Sequence, residues 1–227
     1  MTIRTLSDLD GKLMDGLKFC KIVYALFESA RRTPEGNKAL QPFSNHTEKR
    51  LIEELLPICR YIQTSYRTGR YISVCWKDDN QSFDAELHQE GDYVSLGYYA
   101  AKSYLEVTCA MHQNEPFIWE LSKQGKSSGA PEGIRKERGK PIVSEPVVFS
   151  GHEHVEGFAQ IVVSAIEKKD KKNYPDGTSL VVQCYLNSLY PPDDWQILVE
   201  KVRRSISAVS FQEILLVDGL SQRTVCL

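Results

Sequence analysis

The spacing of apolar side chains predicts two helices in the first part of the chain. Between residues 7 and 32, apolar residues recur at three- and four-residue steps, as in an amphipathic helix, and Ser7 is suited to cap the first turn. Proline and glycine within residues 33–44 predict a connecting loop. A second apolar stripe over residues 51–62 predicts another helix, which Pro57 should kink or divide because proline lacks a backbone donor.

The pattern then changes to the alternation of β-strands. Three segments alternate apolar and polar positions and predict a β-meander: residues 71–77, 82–88 and 103–111. The polar residues 78–80 predict the first hairpin turn. Asp84 and Glu86 share the polar face of the second strand, and Glu106 takes the same relative face of the third. Acidic side chains therefore lie on one face of neighbouring strands.

The last third of the chain predicts a helix and then a βαβ unit. The helical stripe over residues 155–166 ends in a run of lysines, which is favourable at a helix C-terminus. Apolar runs at residues 180–186 and 211–217 predict buried strands, and Asp193 or Asp194 caps the helix between them. The expected fold is α/β, with a mixed central sheet (a β-meander followed by βαβ) flanked by helices. Residues 1–44, a helix and linker, should pack on a core formed by residues 45–227.

Residues 122–154 are rich in Gly, Ser, Pro and charge, which predicts a long surface loop with a short hairpin at residues 141–149. The net charge of −2 and the pI near 6.2 give no overall attraction to nucleic acid, so such binding needs a local basic surface. This loop is a candidate for that surface, and an ordinary solvated loop is an equally good interpretation. Its basic residues are Lys123, Lys126, Arg135, Lys136, Arg138 and Lys140.

The composition is that of a soluble globular protein, with 41% hydrophobic and 26% charged residues in a chain of 227. No apolar run approaches the roughly 20 residues that span a bilayer, and no secretion signal is evident, so no membrane association and a cytoplasmic location are predicted. The six cysteines form no Cys-x-x-Cys pair, which predicts reduced and mainly buried thiols.

The order of elements, with acids on the second and third meander strands, resembles the PD-(D/E)XK (restriction-endonuclease-like) nuclease superfamily over residues 48–218. The first motif of that family corresponds to Asp84, with Phe83 in place of the usual proline. The second motif corresponds to Glu106, with Thr108 in place of its final lysine.

This resemblance implies a divalent-metal-dependent nuclease that hydrolyses phosphodiester bonds, with DNA as substrate. A hard cation, Mg²⁺ or Mn²⁺, would be held by Asp84, Glu106 and the carbonyl of Val107. A glutamate of the preceding helix, Glu53 or Glu54, would support a second metal or its hydration shell.

The missing lysine leaves two hypotheses open. Family members sometimes supply this cation from a neighbouring helix, for which Lys168 and Lys169 are the best candidates and Lys102 a further one. Alternatively, the loss marks a catalytically inactive binding or interaction module, a subunit of a defence, repair or mobile-element system with a protein partner or a homodimeric state. Thr108 can donate only one hydrogen bond in place of the lysine.

Other polar residues are better explained without a site. The residues His152, Glu153 and His154 are interpreted as exposed loop rather than as transition-metal ligands, and Glu86 as a solvated neighbour of Asp84. His112 is interpreted as a surface histidine at a strand end rather than as a general base or a phosphate contact.

Overall fold

The computed structural model describes residues 5–40, 47–78, 81–128, 130–148, 150–185, 192–219, 221 and 223–227. Nine strands are present over these residues: β1 (Met14–Asp15), β2 (Tyr71–Trp76), β3 (Ala85–Glu90), β4 (Lys102–Ala110), β5 (Ile134–Arg135), β6 (Val143–Ser144), β7 (Thr178–Cys184), β8 (Ile214–Asp218) and β9 (Thr224–Cys226). Seven of them form one sheet in the order β1-β2-β3-β4-β7-β8-β9, and β5 pairs with β6 in a separate hairpin.

The helices of the described residues are α1 (Gly16–Arg31), α2 (Pro34–Ala39), α3 (Leu56–Ser65), α4 (Asp92–Ser95), α5 (Glu115–Lys123), α6 (Gly151–Asp170) and α7 (Pro192–Ser205). A π-helical segment, Leu51–Leu55, leads directly into α3. The helix changes from π to α geometry at Leu56, one residue before Pro57, and continues without a break, because the Leu56 amide donates to the Leu51 carbonyl.

The strand directions confirm an α/β fold with a mixed sheet flanked by helices. Strands β1 to β4 are antiparallel, β4, β7 and β8 are parallel, and β9 closes the edge in the antiparallel sense. The helix α7 connects the parallel strands β7 and β8, as the predicted βαβ unit requires. In addition, α6 connects β4 to β7 and brings its own residues close to β4.

Each face of the sheet has its own apolar core. The first core contains residues of α1 and α3 together with one set of strand side chains, of which Val181 is an example. The second contains residues of α6 and α7 together with the opposite set, such as Leu180 and Val182. Since adjacent strand residues point to opposite faces, the continuous apolar run of β7 serves both cores.

The N-terminal predictions are partly wrong. The helix α1 begins at Gly16 rather than near Ser7, and Asp15 caps it by accepting a hydrogen bond from the Lys18 amide at 3.0 Å. Residues Met14–Asp15 instead pair with β2, a tertiary contact with no local signal. Residues 34–39 of the expected loop form α2, because Thr33 caps it and proline suits a first helical turn.

The predicted loop at residues 122–154 is also more structured than expected. The helix α5 ends at Lys123, and α6 already begins at Gly151. Ser150 and Glu153 form a capping box, with the Ser150 amide donating to the Glu153 carboxylate at 2.8 Å. The hairpin joins residues 134–135 to 143–144, so it begins earlier than predicted.

All six cysteines are free thiols and four of them are buried, which confirms the prediction of reduced and mainly buried thiols. Within the described part of the chain, no helix has the length and apolar character needed to cross a membrane.

The predicted turn at residues 78–80 lies mostly outside the described residues, because only Asp78 is described.

Candidate active site

The candidate site lies where β4 separates from β3. Pairing between these strands runs from His88 and Lys102 to Ala85 and Leu105. Beyond Leu105, β4 continues beside β7 but, over the residues that the structure describes, no longer beside β3. The segment Leu51–Leu55 packs against β4. A gap in the sheet therefore adjoins Glu106.

Asp84 is fixed in this gap by main-chain hydrogen bonds. It lies one residue before β3, where its amide donates to the Leu105 carbonyl at 2.8 Å. Its carboxylate Oδ2 accepts from the Val107 amide at 2.7 Å. The amide and carbonyl of one strand residue point to the same side, so the Val107 carbonyl also leaves β4 on the side of Asp84.

Glu106 is buried, with about 5% of its surface exposed, and it points toward the face covered by α6. The Lys169 Nζ, in the last turn of α6, donates a hydrogen bond to Glu106 Oε1. The Tyr174 hydroxyl donates to the same oxygen at 3.2 Å. The structure thus brings Lys169 to Glu106, whereas the adjacent Lys168 is exposed.

The two candidate glutamates of the preceding helix have different surroundings. Glu54 accepts a hydrogen bond from Trp76 Nε1 at 3.2 Å, and its negative charge acts on Asp84. Burial raises the pKa of the Glu54 carboxyl. Glu53 is instead 3.9 Å from Lys49 Nζ. Glu54 is therefore the glutamate that belongs to the site.

Negative charge is in excess around Asp84. Burial, together with the charges of Glu106 and Glu54, raises the pKa of Asp84 to about 7, against the opposing effects of the Val107 amide and Lys169. Near neutral pH this carboxyl is thus poised between its protonated and ionised forms. A cation binding here would displace the proton.

We name Glu54, Asp84 and Glu106 the acidic cluster. Within the described residues, no three side chains of His, Cys, Asp or Glu are arranged to hold a metal ion by themselves. An ion in the gap would therefore need main-chain and water ligands beside one or two carboxylates. Mg²⁺ commonly binds in this way, since it retains several waters.

Thr108 lies two residues beyond Glu106 on the same side of β4. It faces a cleft of about 370 Å³ between β4 and α6, which Lys168 and Lys169 also line. Lys102 is instead paired with Glu86, at 3.0 Å between Nζ and Oε2, so this lysine does not serve Glu106.

The sequence did not predict two residues that lie next to the acidic cluster. Tyr174 follows the end of α6 in a stretch with no periodic pattern. Arg50, whose Nε is 3.9 Å from Glu54 Oε1, precedes the π-helical segment and also contacts Asp78. Neither position carries a sequence signal that separates it from other surface residues.

The prediction that residues 152–154 form an exposed loop is wrong, because they lie in the first turn of α6. His152 is exposed and 3.3 Å from Glu156. His154 is buried, with Nδ1 2.8 Å from Glu132 Oε1. This burial is explained by the start of α6 packing on the segment that contains Glu132.

His112 follows β4, as predicted, but it is half-buried rather than at the surface. Its Nδ1 accepts from the Asn114 amide at 3.1 Å. Burial lowers the pKa of the His112 imidazole. This favours the neutral ring, which can accept that hydrogen bond.

The six basic residues of residues 122–154 are distributed over several elements. Lys123 ends α5. Arg135 lies in β5, 3.6 Å from Glu145, and Lys140 is paired with Glu137. The other three basic residues, which are also exposed, are Lys126, Lys136 and Arg138. None of the six lines the cleft beside Glu106.

Comparisons of this chain with protein-family models, with curated proteins and with solved structures found no match.

Proposed function

We propose that this α/β protein is a restriction-endonuclease-like nuclease that hydrolyses phosphodiester bonds of DNA with the help of a divalent cation. The contact between Lys169 and Glu106, next to Asp84, carries the proposal. It supplies from α6 the positive charge that Thr108 cannot provide at the end of the motif. The β-meander followed by βαβ supports the same assignment.

The donor groups fit Mg²⁺ or Mn²⁺. Asp84, Glu106 and the Val107 carbonyl offer the hard oxygen ligands that these ions prefer. When bound, such an ion lowers the pKa of a coordinated water and neutralises charge on the phosphate oxygens.

The protein side chains have separate roles in this proposal. Lys169 holds a positive charge beside Glu106, where it can stabilise the negative charge that develops on the phosphate. Tyr174 orients the Glu106 carboxylate through its hydroxyl. Glu54, which the hydrogen bond from Trp76 keeps in place, would hold water around a bound ion.

The direct test is cleavage of plasmid and circular single-stranded DNA with Mg²⁺ or Mn²⁺. Wild-type protein should cleave, and Asp84→Asn or Glu106→Gln should lower the rate by about a thousandfold, since each removes several kcal/mol of metal-dependent stabilisation. The matched control is Glu86→Gln, on the same face of β3 but paired with Lys102. Its rate should stay within about twofold of wild type. Cleavage that persists in Asp84→Asn would reject the proposal.

A non-catalytic binding module with this fold is the second candidate, because Thr108 stands where the family has its lysine. Nucleic-acid binding or a tight protein partner, without metal uptake or cleavage, would favour this function over the nuclease.

A further inference from the structure

The cleft between α6 and the end of β4 combines an apolar floor with a positively charged rim. The floor includes Met111, Ile161 and Ala165, and the rim consists of three lysines at the end of α6. With about 370 Å³, the cleft has the size of a small-ligand site. It adjoins the acidic cluster, because Lys169 both lines the cleft and contacts Glu106.

The rim lysines have different partners. Lys169 is engaged with Glu106. Lys168 lies in the last turn of α6 and Lys172 lies two residues beyond its end, and both line the cleft. Among the ion pairs of the described residues, neither of these two lysines has a carboxylate partner.

Helix stability alone does not explain this arrangement. Lysines near a helix C-terminus interact favourably with its dipole whichever way their side chains point, as for the exposed Lys171. Two ammonium groups without a carboxylate partner lie beside an apolar floor. They can bind the anionic group of a ligand whose remaining part is apolar.

A nucleotide unit has this chemistry, because its phosphate is anionic while its sugar and base offer apolar surface. The cleft is bounded by one strand edge and one helix, which suits a single chain rather than a duplex. We propose that this cleft holds the backbone of single-stranded nucleic acid next to the bond to be cleaved, with Lys168 and Lys172 on its phosphates. This inference rests on the proposed nuclease function and makes unpaired DNA the substrate.

The experiment measures the binding of a fluorescent oligothymidylate by anisotropy over a range of salt concentrations. All variants carry Asp84→Asn, so that cleavage does not interfere. The test variant adds Lys168→Ala and Lys172→Ala. The matched control adds Lys21→Ala and Lys171→Ala, which remove the same charge from exposed positions outside the cleft. Thermal denaturation of each variant establishes that it is folded.

The cleft variant should bind about tenfold more weakly, and the slope of log K against log salt should fall by about 1.4, the value for two phosphate contacts on a single strand. The control should stay within about twofold, and a duplex of the same length should bind more weakly than the single strand. Equal losses in both variants, or preference for the duplex, would overturn the proposal.

Binding assays with the Asp84→Asn proteins and cleavage assays with the native aspartate separate the two proposals. If metal-dependent cleavage is present but the cleft lysines affect neither binding nor cleavage, the cleft assignment fails and the nuclease stands. If binding depends on these lysines but no cleavage occurs with the native aspartate, the cleft stands and the protein is a binding module.

Discussion

Two polar clusters contact β4, one at Ser103 near its start and the other at Glu106 in its middle, and they differ in how their charges are balanced. The first, which we name the arginine cluster, surrounds Arg70, of which only 3% is exposed. Arg70 Nε donates to Gln89 Oε1 at 2.8 Å, and its NH2 group donates to the Tyr61 hydroxyl at 3.2 Å. The guanidinium also lies 3.6 Å from the centre of the Tyr99 ring, and Tyr61 donates onward to Glu213. The second is the acidic cluster.

Buried polar groups serve stability or binding, depending on whether their charges are balanced. In the arginine cluster, the cation is hydrogen-bonded and an acid lies at the end of the chain of donors, so the network stabilises the fold. In the acidic cluster, three carboxylates share Lys169 and Arg50, and the pKa of Asp84 rises to about 7. Such uncompensated charge lowers stability and is a feature of functional sites.

The largest expected effect is on the arginine cluster. Arg70→Met should lower the free energy of unfolding by about 3–5 kcal/mol, because it leaves buried polar partners without their cation. Urea denaturation measures this value. A loss below about 1 kcal/mol would show that the arginine cluster is not a stabilising network.

Lys169→Met should affect activity more than stability. Without its ammonium group the cleavage rate should fall by about a hundredfold, the typical effect of losing one group that stabilises transition-state charge. Lys171→Met, at an exposed position near the same end of α6, is the control and should cleave like wild type. An unchanged rate in Lys169→Met would contradict the proposed role of Lys169.

A smaller and opposite effect is expected for Asp84→Asn on stability without metal. The folded-state pKa of Asp84, about 7, lies above its ordinary value of 3.8. The wild-type protein therefore loses stability as the pH rises from about 4 through about 7, while asparagine stays neutral. At about pH 8 the variant should be more stable than wild type by a few kcal/mol, at most about 4, and at about pH 4 the two should be nearly equal.

Thermal denaturation over this pH range compares the two proteins. Equal pH dependence in both would contradict an uncompensated charge at Asp84. The arginine cluster offers the contrast, since Arg70→Met should be destabilised at both pH values.

Much of the sheet could be predicted from the sequence, because strand alternation and apolar runs are local signals. The sequence also predicted that Asp84 and Glu106 lie on the same face of neighbouring strands. The hydrogen bond from Val107 to Asp84 was not, since it depends on where β3 stops pairing with β4. Equally, the choice between Lys168 and Lys169 depends on the rotation of α6, which its packing on the sheet determines.

Several short elements were not predicted, for a different reason. The strand β1 has two residues and forms only because β2 is beside it. The helices α2 and α5 are too short for a convincing apolar period, and both carry a proline in the first turn, which also occurs in loops.

The most direct test of the acidic cluster is calorimetric titration of Mn²⁺ and Mg²⁺ into wild-type protein and the Asp84→Asn and Glu106→Gln variants. We expect binding to wild type that strengthens as the pH rises through about 7, with proton release, and a loss of at least about tenfold in affinity in both variants. The Glu86→Gln control should bind as wild type does. No binding to wild type, or equal binding in all four proteins, would contradict a metal site at Asp84 and Glu106.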